Sequence, residues 1–284
     1  MIDAEEIKEA AGRLSLDPRV IEKDYVIGWV LAGIYNHPLL SPEWLFKGGT
    51  CVKKCFFDTE RMSEDLDFTL ITDEQINVDF LKLAFSEVSE WVYEQSGINI
   101  AADAKQVPLY IDIYENPRGN QACQARIYYR GPLKYQYSAA KIKLDLTADE
   151  KLVQPSVRVG VDHPYSDFNP DLFYAQSYSF DELFSEKIRA LGERARPGAR
   201  DLYDVVNLFR QVPLKDSLVL REILKVKCEF KGIGLITLAD IEPKKEEFFR
   251  QWGQQLFHQV HILPPVEVYW NHLPSFFEWL YSEE

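Results

Sequence analysis

Hydrophobic and polar positions repeat with two different periods along this chain, and the change of period divides it. Residues 3–13 carry a helical pattern, and Asp17-Pro18 opens a longer helix, with aspartate as cap and proline at the first helical position. Val20, Ile21, Ile27, Val30, Leu31 and Ile34 form its apolar stripe, and His37-Pro38 to Ser41-Pro42 ends it. Trp44 to Phe46 is a short apolar run, and Leu66, Phe68 and Leu70 alternate with polar positions as in a half-buried strand. Residues 78–95 return to helical spacing through Phe80, Leu81, Ala84, Phe85, Val88, Trp91 and Val92. Strands are then expected around 98–102, 107–115, 124–130, 139–147 and 152–161, with Asn116-Pro117-Arg118-Gly119-Asn120 as the clearest turn. Residues 162–178 read as loop. Helical periodicity resumes at Ser179-Phe180-Asp181-Glu182, which resembles a capping box, and carries Leu183, Ile188, Leu191, Leu202, Val205, Val206 and Phe209 as core positions. Helices are expected near 214–229, 243–260 and 265–282. The fold class is therefore α+β: residues 1–162 form a mixed sheet flanked by helices, and residues 163–284 form a mainly helical domain.

Composition narrows the class. Of 284 residues, 46% are hydrophobic and 27% charged, with 6 Trp, 15 Tyr and 17 Phe, which is ordinary for a globular chain and too aromatic for a disordered one. No apolar run is long enough to span a membrane, and the N-terminal MIDAEEIKEA is acidic, unlike a signal peptide, so a cytoplasmic location is expected. The four cysteines lack zinc-ligand spacing and suit a reducing compartment as plain thiols. A net charge of −13 excludes binding of nucleic acid by overall charge and requires a local basic patch instead.

The candidate chemistry lies between residues 44 and 70. Lys47-Gly48-Gly49-Thr50 follows a short strand, where paired glycines let the backbone turn sharply and approach a ligand. Thr50 is placed to cap the next helix, whose free N–H groups suit a phosphate. About fifteen residues later, Asp65 and Asp67 point to one face of a strand, within reach of one cation. Ser63 shares that face if the strand begins early. Converging carboxylates are hard ligands for Mg²⁺, with Mn²⁺ as the alternative. Glycines and a hydroxyl for a triphosphate, followed by paired aspartates for metal, describe a nucleotidyltransferase site. A two-metal site needs a third carboxylate, for which Asp145 in AAKIKLDLT and Asp112 in LYIDIYEN both qualify, with Asp145 preferred. Lys187, Arg189, Arg194, Arg196 and Arg200 gather positive charge in an acidic chain, and Asp201 and Asp204 share a helix face. Glu22-Lys23-Asp24-Tyr25, taken by itself, reads as a solvated helix face.

Phe46-Lys47-Gly48-Gly49-Thr50, Arg61-x-Ser63-Glu64-Asp65-Leu66-Asp67-Phe68, Glu186-Lys187-Ile188-x-Ala190-Leu191 and Arg200-Asp201-Leu202-Tyr203-Asp204-Val205, in this order, resemble the AbiEii/AbiGii-type nucleotidyltransferase toxins of the DNA polymerase β-like superfamily. The Glu22–Tyr25 stretch is similar to that family's N-terminal pattern. The resemblance covers about residues 20–210, and the last 70 residues show none. It implies a nucleotidyltransferase domain followed by a helical domain that completes the nucleotide site. It also implies a bacterial toxin–antitoxin or abortive-infection role, a cognate antitoxin, and nucleotide transfer from NTP to an RNA acceptor, specifically tRNA. Under it, Asp65, Asp67 and Asp145 hold Mg²⁺, and Lys47, Gly48, Gly49, Thr50 and Ser63 contact the nucleotide. Lys187 neutralises the leaving pyrophosphate, Asp201 and Asp204 position Lys187 or the nucleotide, and Arg194, Arg196 and Arg200 meet RNA. The competing expectations are a small-molecule nucleotidyltransferase of the antibiotic-modifying kind and a non-catalytic nucleotide-binding regulator.

Overall fold

The computed structural model describes residues 1–57, 61–100, 109–134, 140–194, 196–211 and 216–282, so parts of the strands expected at 98–102, 107–115 and 139–147 lie outside the described residues. The chain divides into two compact units. The first comprises Met1–Asp58, Met62–Glu150 and Ser156–Ser177, and the second comprises Thr59–Arg61, Lys151–Pro155 and Tyr178–Glu284.

In the first unit, helix α1 (Ala4–Leu14) begins at Asp3, which accepts from the Glu5 and Glu6 amides, and α2 (Pro18–Asn36) begins at the expected Asp17 cap, which accepts from the Arg19 amide. A mixed sheet follows, built from β1 (Trp44–Lys47), β2 (Asp65–Leu70), β3 (Asn99–Ile100), β4 (Leu109–Glu115), β5 (Gln121–Arg130), β6 (Ala140–Thr147), β7 (Val157–Gly160) and β8 (Tyr174–Ser177). Its order is β3-β5-β6-β2-β1-β8-β7, with β4 also on β5. The β2–β6 and β1–β8 pairs are parallel and the others antiparallel. One face is apolar: Phe68 packs its ring against Trp44, Phe46 and Tyr35, with centroids 5.2, 5.3 and 6.4 Å away. Burying each such ring stabilises the fold by roughly 1.5–3 kcal/mol. Helices α2 and α4 (Val78–Ser96) contribute to this core, with the expected stripe of α4 buried at Leu81, Ala84, Phe85, Val88 and Val92.

Local expectations change around the end of the sheet. Residues 162–178 are not all loop, because β8 lies there, and the sheet thus continues past residue 162, where the helical part was expected to begin. The strand expected from 152 starts only at Val157. The amides of Val153 and Gln154 donate to the Glu182 carboxylate instead of a strand partner, and Pro155 has no amide to give.

The second unit is helical: α5 (Phe180–Glu193), α6 (Ala199–Gln211), α7 (Ser217–Lys231), α8 (Leu238–Ile241), α9 (Lys245–Leu256), α10 (Val266–Trp270) and α11 (Leu273–Tyr281). The single helix expected at 265–282 is two, since Pro274 in the first turn of α11 cannot donate to a preceding helix. At the start of α5 only half of the capping box forms. Ser179 accepts from the Glu182 amide at 3.2 Å, while the Glu182 carboxylate pairs with Lys227 at 2.7 Å. Among the described residues, no helix is long and apolar enough to cross a membrane.

Candidate active site

Strand register assembles the first unit's site. Lys47 stands opposite Asp67 across β1–β2, Asp67 opposite Asp145 across β2–β6, and Asp65 opposite Lys143. Directly paired residues project to the same side of a sheet, so Lys47, Asp67 and Asp145 form a row across three strands, with Asp65 and Lys143 in the next row. The three carboxylates are half-buried. Continuing that row, Gln124 pairs with Asp145 and Asp112 with Gln124. Asp145 is thus adjacent to Asp67, while exposed Asp112 lies two strands farther out, about 10 Å from Asp145 at ordinary strand spacing.

Burial pushes the Asp145 carboxyl above the ordinary value, and the negative charge of Asp65 adds to this against the opposing effects of Lys143, Gln124 and Lys47. The face therefore carries crowded negative charge that a divalent cation would relieve. Among the described residues, no three His, Cys, Asp or Glu side chains close on a single point. An open row of hard oxygens still fits Mg²⁺, which takes one or two carboxylates and fills its other positions with water and phosphate oxygens. The donor set fits Mn²⁺ on the same grounds.

The glycine turn is built against these carboxylates. Gly48 has φ +79°, and a Cβ there would lie 2.1 Å from Oδ2 of Asp67, so both backbone and space exclude a side chain. Gly48 and Gly49 open the short helix α3 (Gly48–Cys51), which runs directly into a π-helical turn at Val52–Phe56. Thr50 does not cap α3. It lies inside the helix, and its hydroxyl donates to the backbone carbonyl of Asp65, tying the turn to the carboxylate strand. Lys47 Nζ lies 3.6 Å from Glu150. Ser63 precedes β2 and is buried, at 8% exposure. A separate cleft of about 530 Å³ in this unit, lined by Leu45, Pro42, Arg158 and Gln176 among others, includes none of the predicted site residues.

A second charged cluster belongs to the second unit. Arg61 Nε and Nη2 donate to the two oxygens of Asp204, each at 2.9 Å, and Arg61 Nη1 donates to Gln259 at 2.9 Å. Lys187 pairs with Asp201 at 3.2 Å and Asp204 at 2.9 Å, and Arg194 with Asp201 at 3.1 Å. Burial alone would raise the Asp204 carboxyl, but Arg61 and Lys187 outweigh it and hold it below the ordinary range. Burial likewise opposes the Lys187 charge, and Asp204 and Asp201 outweigh it, so its ammonium is held above the usual value. Gly198 permits the Asp201–Arg194 approach, since a Cβ there would fall 2.4 Å from Asp201 Oδ2. The expected cluster of positive charge is thus partly neutralised: Lys187 and Arg194 face these aspartates, and Arg189 pairs with Glu193. Arg196 is exposed and Arg200 half-buried. Sequence reasoning missed Gln259, which has no periodic or motif signal and reaches Arg61 across 198 residues of chain. It also missed the burial of Glu22 and Asp24, at 2% and 6% exposure, on what was read as a solvated face.

No curated protein matches the chain. MenT4, a nucleotidyltransferase toxin from Mycobacterium tuberculosis H37Rv, shares its fold with a TM-score of 0.65 at 17% identity, over 100% of this chain and 91% of that one. A putative nucleotidyltransferase from H. pylori aligns with a TM-score of 0.53 at 14% identity, over 93% of this chain and 96% of that one. The family described as nucleotidyl transferase AbiEii toxin, type IV toxin–antitoxin system, matches residues 29–280, so the family signal extends through the C-terminal region where sequence reading found none. The chain therefore belongs to the AbiEii family of nucleotidyltransferase toxins of type IV toxin–antitoxin systems.

Proposed function

We propose that this enzyme transfers nucleotides from an NTP to the 3′ hydroxyl of an RNA acceptor, specifically tRNA, with release of pyrophosphate. The observation that carries the reading is the row Lys47–Asp67–Asp145 set against the Gly48 turn. Asp65, Asp67 and Asp145 would hold Mg²⁺, which when bound neutralises phosphate charge and lowers the proton affinity of the attacking hydroxyl. With no side chain at Gly48, the turn packs directly against the Asp67 carboxylate, its backbone N–H groups are read as the triphosphate contacts, and Lys47 adds a positive charge beside it. The acceptor oxygen attacks the α-phosphorus, the bond to pyrophosphate breaks, and the hydroxyl proton leaves to solvent or a carboxylate. Lys187, held by Asp201 and Asp204, is read as the cation that offsets charge on the leaving pyrophosphate. Exposed Arg194 and Arg196, with half-buried Arg200, are read as the RNA contacts.

The test combines purified protein, each α-labelled NTP, Mg²⁺ or Mn²⁺, and total RNA or purified tRNA. Label is expected in tRNA, and the Arg194→Ala/Arg196→Ala variant should raise the KM for RNA more than that for NTP. Unchanged RNA dependence in that variant, or label appearing only on a small-molecule acceptor, would overturn the RNA assignment.

A further inference from the structure

Helix α2 holds both halves of the candidate site through adjacent residues. Asp24 Oδ2 accepts from Lys54 Nζ at 3.0 Å and from the Tyr165 hydroxyl at 3.0 Å, and Lys54 Nζ also donates to the Asp162 carbonyl at 3.1 Å. Both ends of this ion pair are buried, with side-chain exposures of 1% and 7%. Lys54 lies on the π-helical turn that continues α3, so this pair anchors one end of the piece whose other end is tied to Asp65 by Thr50. One residue earlier on α2, Lys23 pairs with Glu64, directly before Asp65. Neighbouring α2 side chains thus secure the segment leaving the glycine turn and the segment entering the carboxylate strand.

Stability is a poor reason for this arrangement. A buried ion pair is often no more stabilising than an apolar pair of similar volume. Asp24 Oδ1 is buried and lacks a hydrogen-bond partner, which makes the pair costlier still. A π-turn is itself an irregularity that occurs frequently at functional sites.

We propose that Asp24 and Lys54 are positioning residues for nucleotide binding: their buried pair fixes the Gly48–Thr50 turn against Asp65 and Asp67. The inference rests on reading that turn as the triphosphate site.

The test is the Asp24→Leu/Lys54→Met double variant, which removes both charges together and strands neither. It should fold with a melting temperature close to wild type, yet show a KM for NTP and an apparent Mg²⁺ requirement about tenfold higher, with a smaller change in kcat. Lys54→Arg, which keeps the charge in a different shape, should fall between the two. If the double variant does not fold, Tyr165→Phe decides, because it removes one bond to Asp24 and leaves the pair; a KM increase of about two- to threefold without loss of kcat is expected. A folded double variant with wild-type KM and Mg²⁺ dependence overturns the positioning role, as does an unchanged KM in Tyr165→Phe when that variant decides. Calorimetric binding of Mg²⁺ and a non-hydrolysable NTP to wild type separates the two claims. Wild-type protein that binds no NTP overturns the triphosphate reading itself, and the inference with it.

Discussion

At the scale of single residues, position 48 is constrained twice, by its backbone and by its neighbour. Its φ of +79° costs a side-chain-bearing residue roughly 1–2 kcal/mol. A Cβ there would also displace the Asp67 carboxylate, so Gly48→Ala should lower the free energy of unfolding by at least that amount and suppress transfer further than the stability loss explains; denaturant titration and NTP incorporation check both. Asp145 makes the opposite trade. Its raised carboxyl pKa, caused by burial first and Asp65 second, means that stability declines as pH rises from the ordinary carboxylate value through the folded one. At neutral pH the ionised group is therefore a net cost. Asp145→Asn should raise the melting temperature while abolishing transfer, and added Mg²⁺ should raise the melting temperature of wild type more than that of the variant. Lys187→Met leaves Asp204 with Arg61 and Asp201 with Arg194, so the second unit should stay folded while turnover falls by about a hundredfold or more. Normal turnover in that variant would reduce Lys187 to a structural partner of the two aspartates.

At the scale of elements, what the sequence announced and what it hid have separable causes. The Asp17-Pro18 helix start was legible from its cap, and the strand of Asp65 and Asp67 and the α4 stripe from a period that burial follows. The parallel pairing of β2 with β6 favoured Asp145 over Asp112, and no local pattern states which strands become neighbours. Glu182 was legible as a cap residue but not as the acceptor that holds residues 153–154 out of the sheet while neutralising Lys227. Removing it as Glu182→Ala leaves Lys227, 1% exposed, with the Lys151 carbonyl at 3.2 Å and the Glu186 carboxylate at 3.5 Å. Loss of about 3–5 kcal/mol in denaturant is expected. The aromatic stretch after residue 161 hid His163, whose ring stacks on Phe173 with centroids 4.1 Å apart and lies 3.3 Å from Asp167. Tyr25, Trp29 and Tyr165 surround the ring, with Lys54 and Asp24 close enough to act on its charge. Burial, helped by Lys54 and opposed by Asp167 and Asp24, lowers its pKa, so the unfolded chain takes up the proton first. Stability should then fall as pH drops below about 6.5, the ordinary histidine value, and His163→Gln should flatten that part of a melting-temperature profile.

At the scale of the whole molecule, a net charge of −13 means that any RNA affinity comes from a local basic patch and not from overall charge. If Arg194, Arg196 and Arg200 supply it, the slope of log affinity against log salt should be no steeper than about −2, given roughly 0.7 per phosphate contact on single strands. A much steeper slope would place RNA on cations outside this set. The family match across residues 29–280 identifies a nucleotidyltransferase, and the arrangement of carboxylates on the sheet is the physical claim on which the account depends. The most direct measurement is pyrophosphate release and incorporation of α-labelled NTP by wild type, Asp65→Asn and Asp67→Asn at matched folded concentration. The account predicts that each variant keeps the wild-type melting temperature or exceeds it and loses about a hundredfold or more in turnover. Full transfer by either folded variant would contradict it.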